Sequence, residues 1–154
     1  MVIIRCFLLI LPFLYMGIIW LQSSHFNPES VFALSSLLDV NVILLLGILF
    51  ELAHFFEFGL LYLLLIMSLL TFGKLNSTKE ILAASLALSY GLIDEIHQMY
   101  VPFRSFSYFD LIKNCIGVWV VSYIVHRCYF IRKNSRSGAV LRKITKQDKN
   151  NTAV

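Results

Sequence analysis

Asp94, His97 and Gln98 recur at i, i+3 and i+4, a spacing that puts all three on one face of a helix. Glu51, His54 and Glu57 are each three apart, and Asp110, Asn114 and Gly117 follow at i, i+4 and i+7. A carboxylate beside an imidazole can move a proton as an acid–base pair, or hold a divalent cation through oxygen and nitrogen. Arg104 adds a planar fork of donors suited to carboxylate or phosphate, and a helix start at Ser107 offers free backbone amides to the same kind of ligand. Glu95 stands two residues from His97, about 200° around a helix, so Asp94 is the better-placed partner for His97. No HExxH, GxSxG or glycine-rich phosphate loop accompanies these residues. Spacing alone therefore assigns no catalytic pair and no metal ligands, and names no cofactor.

The elements that must position them are apolar. The chain has 154 residues, 58% hydrophobic and 14% charged, with mean hydropathy +0.77. Soluble domains carry about 25% charged residues. The composition predicts an all-α fold: an integral membrane four-helix bundle with spans at about 6–22, 52–72, 79–99 and 108–127. The first apolar run ends in Gln22-Ser23-Ser24-His25 with no small-residue cleavage site, so it is read as a retained span. Ser77-Thr78-Lys79-Glu80 predicts a capping box at the start of the third helix, Pro102 ends that helix, and Ser107-Tyr108-Phe109-Asp110 caps the fourth.

The stretch from Val42 to Phe72 is apolar apart from Glu51, His54 and Glu57, and as one helix it would be about 46 Å long against a hydrocarbon core of about 30 Å. The expectation is an extra interfacial or re-entrant helical segment over Val42 to Phe50, preceded by a short helix capped at Asn27-Pro28. A fifth span is the alternative. Residues 1–131 form the transmembrane domain, and residues 132–154 a basic, mobile cytoplasmic tail. Cys6, Cys115 and Cys128 are read as packing thiols, and Trp20, Tyr100 and Tyr108 as aromatic anchors at helix ends.

Basic residues set the direction. Arg127, Arg132, Lys133, Arg136, Arg142, Lys143, Lys146 and Lys149 follow the last span, and four spans bring Arg5, Lys74 and Lys79 to the same side. Lys and Arg accumulate in short cytoplasmic flanks, so both termini are expected inside. Glu57, Asp94, Glu95, Asp110 and Arg104 then lie at the outer boundary. An ionised side chain in lipid costs on the order of 2 to 4 kcal/mol, so these groups should face one another, water or a ligand. The basic tail is read as a solvated charge run that rests on anionic lipid, not as a nucleic-acid site.

The run Asp94-Glu95-x-His97-Gln98-x3-Pro102-x-Arg104, followed by Asp110-x3-Asn114-x2-Gly117, resembles the signature of the VanZ-like family of small bacterial membrane proteins. His54-Phe55-x-Glu57-Phe58-Gly59-x2-Tyr62 is similar to that family's first polar motif, and Ile19-Trp20-Leu21-Gln22-Ser23-Ser24 to the end of its first span. Pro102-Phe103-Arg104 stands where members commonly carry Pro-Gly-Arg, and Glu51 where many carry Lys. The resemblance implies a multi-pass protein of the bacterial cytoplasmic membrane with an envelope role, and its namesake is associated with low-level teicoplanin resistance.

Three readings of the cluster follow. It pairs helices structurally; or it binds an envelope component, such as a lipid-linked cell-wall precursor or a lipoglycopeptide; or it is a membrane-embedded acid–base or metal-dependent enzyme on a lipid-linked substrate, so enzymatic activity is left undecided. The residues any functional reading rests on are His54, Glu57, Asp94, Glu95, His97, Gln98, Arg104, Asp110 and Asn114.

Overall fold

The computed structural model describes residues 2–25, 39–132 and 135–149, which form helices and their connections with no strand among them. Helix α1 is Val2–His25, α2 Val40–Leu70, α3 Ser77–Gln98, α4 Tyr108–His126 and α5 Arg136–Lys149, with a π-helical turn, Arg127–Ile131, extending α4. Among the described residues, three helical stretches are long and apolar enough to cross a membrane: Ile3–His25, Leu52–Leu70 and Tyr108–Ile131. The sequence reading counts four. At 22 residues α3 has the length, but Lys79, Glu80, Asp94 and Glu95 near its two ends dilute its hydropathy.

Helix α2 is the axis of the structure and packs against α1, α3 and α4. Phe58, Leu61, Tyr62, Ile66 and Leu70 of α2 are fully buried, against Ile19 of α1, Ala83 and Ala87 of α3, and Val118 and Val125 of α4. Large apolar side chains cover the outside as well, among them Phe7, Phe13, Leu44, Ile81 and Trp119. Lipid-facing helices gain little by burying such groups, so close backbone approach carries the association instead. That approach is visible between α2 and α4: a Cβ on Gly117 would collide with the Phe55 carbonyl oxygen, and one on Gly59 would lie 2.9 Å from Val121 Cγ2 and 3.1 Å from the Gly117 oxygen.

The expected interruption before the second span does not occur. Val40–Leu70 is one helix of 31 residues, so Val42 to Phe50 is neither a re-entrant piece nor a separate span. The segment contains no proline, and its one glycine, Gly47, costs a helix only about 1 kcal/mol. Breaking the helix would free backbone groups that an apolar segment has no means to satisfy. The Asn27-Pro28 cap and the Glu51 side chain lie outside the described residues.

The caps follow from side-chain reach. Asn76, not Ser77, caps α3, its Oδ1 accepting from Lys79 N at 2.9 Å; the shorter serine one position later already belongs to the first turn. Ser107 caps α4 as its sequence predicts, Oγ accepting from Asp110 N at 3.2 Å.

At the end of the bundle where α2 meets α3, Lys79 Nζ donates to the carbonyls of Leu69 (3.0 Å) and Gly73 (2.9 Å), tying the turn together. His126 approaches Glu80 Oε2 at 3.1 Å on the same side, at the opposite end of the helices from Asp94, Glu95 and Asp110. Part of the expected mobile tail is here too. Helix α5 packs on the π-helical turn and α2, burying Leu141, while Arg142 donates to the carbonyls of Cys128 and Tyr129. Leu141 and Ile144, three apart, give this basic segment the apolar edge that docks it. Cys6 and Cys115 are exposed rather than packed.

Candidate functional site

The polar side chains gather at the opposite end, where α1 and α3 finish and α4 begins. They form two groups with different hydrogen-bond states.

The first joins α1, α3 and the turn after α3. Asp94 is fully buried; one carboxylate oxygen accepts from Ser23 Oγ and the other from Gln98 Nε2 at 2.8 Å. Gln98 Oε1 accepts in turn from Arg104 at 2.8 Å, and a second guanidinium nitrogen lies 3.5 Å from the Ser23 carbonyl. A charge-assisted chain of this kind fixes the end of α1 and the position of Arg104. His97 turns away from it. Its ring stacks on Trp20 with centroids 3.7 Å apart, and Nε2 lies 2.9 Å from Ser24 Oγ. Trp20 is thus a partner for His97, not only an end anchor, and the Asp94–His97 pair favoured by spacing is not what the fold assembles.

The second group joins α2, α3 and α4. His54, Glu95 and Asp110 each place one potential ligand atom within 4.8 Å of the others. His54 Nε2 is 4.0 Å from Asp110 Oδ2, and Nδ1 is 3.7 Å from Glu57 Oε2. Glu57 also accepts from Gln22 Nε2 of α1. Glu95 is fully buried; its Oε2 accepts from the Ser107 amide at 3.0 Å. Asp110 Oδ1 pairs with Lys113 Nζ at 2.7 Å, one turn along α4. Asn114, one turn beyond Asp110 on the same face, is fully buried beside Gly91.

Here satisfaction is incomplete. Glu95 Oε1, His54 Nδ1 and both amide atoms of Asn114 are buried without a hydrogen-bond partner among the described residues. Each such group costs about 1–3 kcal/mol in a protein interior, so the arrangement has capacity that its own side chains leave unused. Chemically it offers an imidazole between carboxylates, able to exchange a proton or to ligate a cation, with Arg104 fixed nearby by Gln98.

Of the residues singled out by sequence, Asp94, Gln98 and Arg104 enter the first group, and His54, Glu57, Glu95, Asp110 and Asn114 the second. His97 joins α1 instead. Sequence reasoning left Gln22, Ser23, Ser24 and Lys113 off its candidate list, though three consecutive polar residues closing an apolar span are a readable signal.

The family model described as VanZ/LLP1 matches residues 2–131, which takes in every residue of both groups and stops short of α5. No curated protein and no solved structure matches the chain.

Proposed function

The chain belongs to the VanZ/LLP1 family, and on that premise we propose that it is a multi-pass protein of a bacterial cytoplasmic membrane whose polar cluster binds or modifies a component of the cell envelope, with reduced susceptibility to glycopeptides such as teicoplanin as the outcome. Family membership supports the membrane assignment and a loose link to resistance. In this reading α3 crosses as a fourth span, both termini are cytoplasmic, and the cluster belongs to the outer side. The distribution of charge supports that direction: Lys74, Lys79, Arg127, Arg132 and the basic residues of α5 all lie at the end away from the cluster. The partners are membrane lipid and a lipid-linked cell-wall precursor or lipoglycopeptide, not nucleic acid.

The observation that carries the reading is the unmet capacity of Glu95 and Asn114, both fully buried. Structural pairing explains the Ser23–Asp94–Gln98–Arg104 chain, whose members satisfy one another. It does not explain groups left without partners, because a bundle held for stability alone is better served by apolar replacements. A reaction on a lipid-linked substrate is the alternative, supported by His54 lying beside Asp110 and Glu57.

Expression in a teicoplanin-sensitive host tests the proposal. The unaltered protein is expected to raise the inhibitory concentration; Glu95→Gln and Asn114→Leu are expected to lose that effect at normal membrane abundance, whereas Gln98→Ala, which strips a partner from the buried Asp94, is expected to lower abundance. An unaltered protein that leaves susceptibility to teicoplanin and to lipoglycopeptides unchanged refutes the resistance reading, and phenotypes that merely track abundance favour structural pairing. Purified protein incubated with envelope lipids separates binding from chemistry: a mass change marks a reaction, and saturable binding with unchanged lipid marks a binder.

A further inference from the structure

We propose that His54, Glu95 and Asp110 hold one divalent cation of the Zn2+ or Mn2+ kind where α2, α3 and α4 meet. The inference stands on the geometry of these residues and does not depend on the resistance reading.

The donor set has the right chemistry. One neutral imidazole and two carboxylates carry a charge of −2, which a divalent cation neutralises. A nitrogen ligand among the three favours Zn2+, Mn2+ or a similar ion over Mg2+ or Ca2+, which take oxygen. The ligand atoms lie within 4.8 Å of one another, wider than the separation of about 3.4 Å that zinc–ligand bonds near 2.1 Å impose on a tetrahedral shell. Rotations that move each side chain by roughly 1 Å close the difference.

The surroundings are those of a supported site. Metal-binding imidazoles are oriented by a carboxylate at the other ring nitrogen, and ligating carboxylates are themselves hydrogen-bonded. Glu57 faces His54 Nδ1 at 3.7 Å, which leaves Nε2, the nitrogen 4.0 Å from Asp110 Oδ2, for the cation. Glu95 is held through Oε2 by the Ser107 amide, with Oε1 unpartnered; Asp110 is held through Oδ1 by Lys113, with Oδ2 turned towards His54. Each carboxylate thus has one anchored oxygen and one available oxygen. The remaining part of the shell is left to water, which the unpartnered amide of Asn114, one turn beyond Asp110 on the same face of α4, would hold.

A protonated His54 could neutralise a carboxylate without any metal. Its N–H groups, however, stand at 3.7 and 4.0 Å from their acceptors, beyond hydrogen-bond length, and it would leave Glu95 Oε1 unpartnered. The cation occupies His54 Nε2 and Glu95 Oε1, and leaves Nδ1 a shift of under about 1 Å from a hydrogen bond to Glu57.

The full-length protein in detergent, stripped with chelator and reloaded with ZnCl2 or MnCl2 alone, provides the test. One equivalent of Zn2+ is expected by elemental analysis. Glu95→Gln and His54→Gln are each expected to weaken Zn2+ binding by at least about tenfold. Glu80→Gln, which alters the other histidine–carboxylate contact at the far end of the bundle, should retain it. The Mn2+ form of the unaltered protein should show coupling to an imidazole nitrogen by pulsed electron paramagnetic resonance, a readout that does not depend on any variant folding. Failure of the unaltered protein to retain either ion, a Mn2+ spectrum without nitrogen coupling, or equal binding by the His54→Gln, Glu95→Gln and unaltered proteins overturns the proposal. A bound ion in a protein that confers no resistance leaves the site standing and removes only the resistance reading.

Discussion

Phe103 has φ +63°, the left-handed region that L side chains enter at a cost of about 1–2 kcal/mol. It occupies the turn between α3 and α4, after Pro102 and before Arg104. Phe103→Gly removes the Cβ clash, and the side chain is 63% exposed, so little protein packing is lost with it. Against this relief stands the extra freedom glycine gives the unfolded chain, about 0.5–1 kcal/mol. The difference is a gain of about 0.7 kcal/mol, roughly threefold in the unfolding equilibrium constant. Reversible unfolding by SDS in mixed micelles, followed by circular dichroism, measures a change of this size. Phe103→Ala is the control, because it removes the exposed ring yet keeps the Cβ and so keeps the strain. The reasoning is refuted if alanine stabilises as much as glycine, which would make the exposed ring the liability, or if glycine lowers stability.

Two further outcomes follow from the helix contacts. Asn114→Leu replaces two buried, unpartnered polar atoms by an apolar group of similar reach and is expected to stabilise the ion-free protein by about 1–3 kcal/mol in the same unfolding assay while weakening Zn2+ retention; a destabilised protein would mean that the amide has a partner. Gly117→Ala drives a methyl group into the Phe55 carbonyl and should separate α2 from α4, costing about 1–3 kcal/mol and lowering abundance in the membrane, whereas Gly17→Ala, with open space around it, serves as the neutral comparison.

Much of the helical layout was legible because it depends on local rules. The apolar runs, the Ser107 cap and the stop at Pro102 are each written within a few residues. What spacing along one helix could not settle was which helix supplies each partner. Asp94 and His97 share a face by periodicity, yet that face is divided between Ser23 and Trp20 of α1, while the imidazole beside Glu95 and Asp110 comes from α2. Partners 41 and 56 residues apart in the chain, as His54 is from Glu95 and Asp110, are fixed by packing, not by any short motif. The continuity of α2 is not legible in its length, for a physical reason. An average bilayer thickness does not limit a helix whose backbone hydrogen bonding favours continuing it. In the last segment the density of Lys and Arg hid an apolar edge of two residues, enough to dock α5 on a bundle already formed.

The uninterrupted α2 changes what the polar site stands next to. His54 lies level with the start of α4, so Val40 to Ala53 continues for about 20 Å past the point where its neighbours begin or end. Val40, Leu44, Leu45, Ile48 and Leu49 along that stretch are exposed among the described residues. A greasy mast of this height cannot stand bare in water, and whatever wets it extends the oily phase along one flank of the carboxylates. If the proposed lipid-linked ligand is the guest, its acyl or polyprenyl tail would find, at a single doorway, a post to lean against, and its head charged groups to greet it.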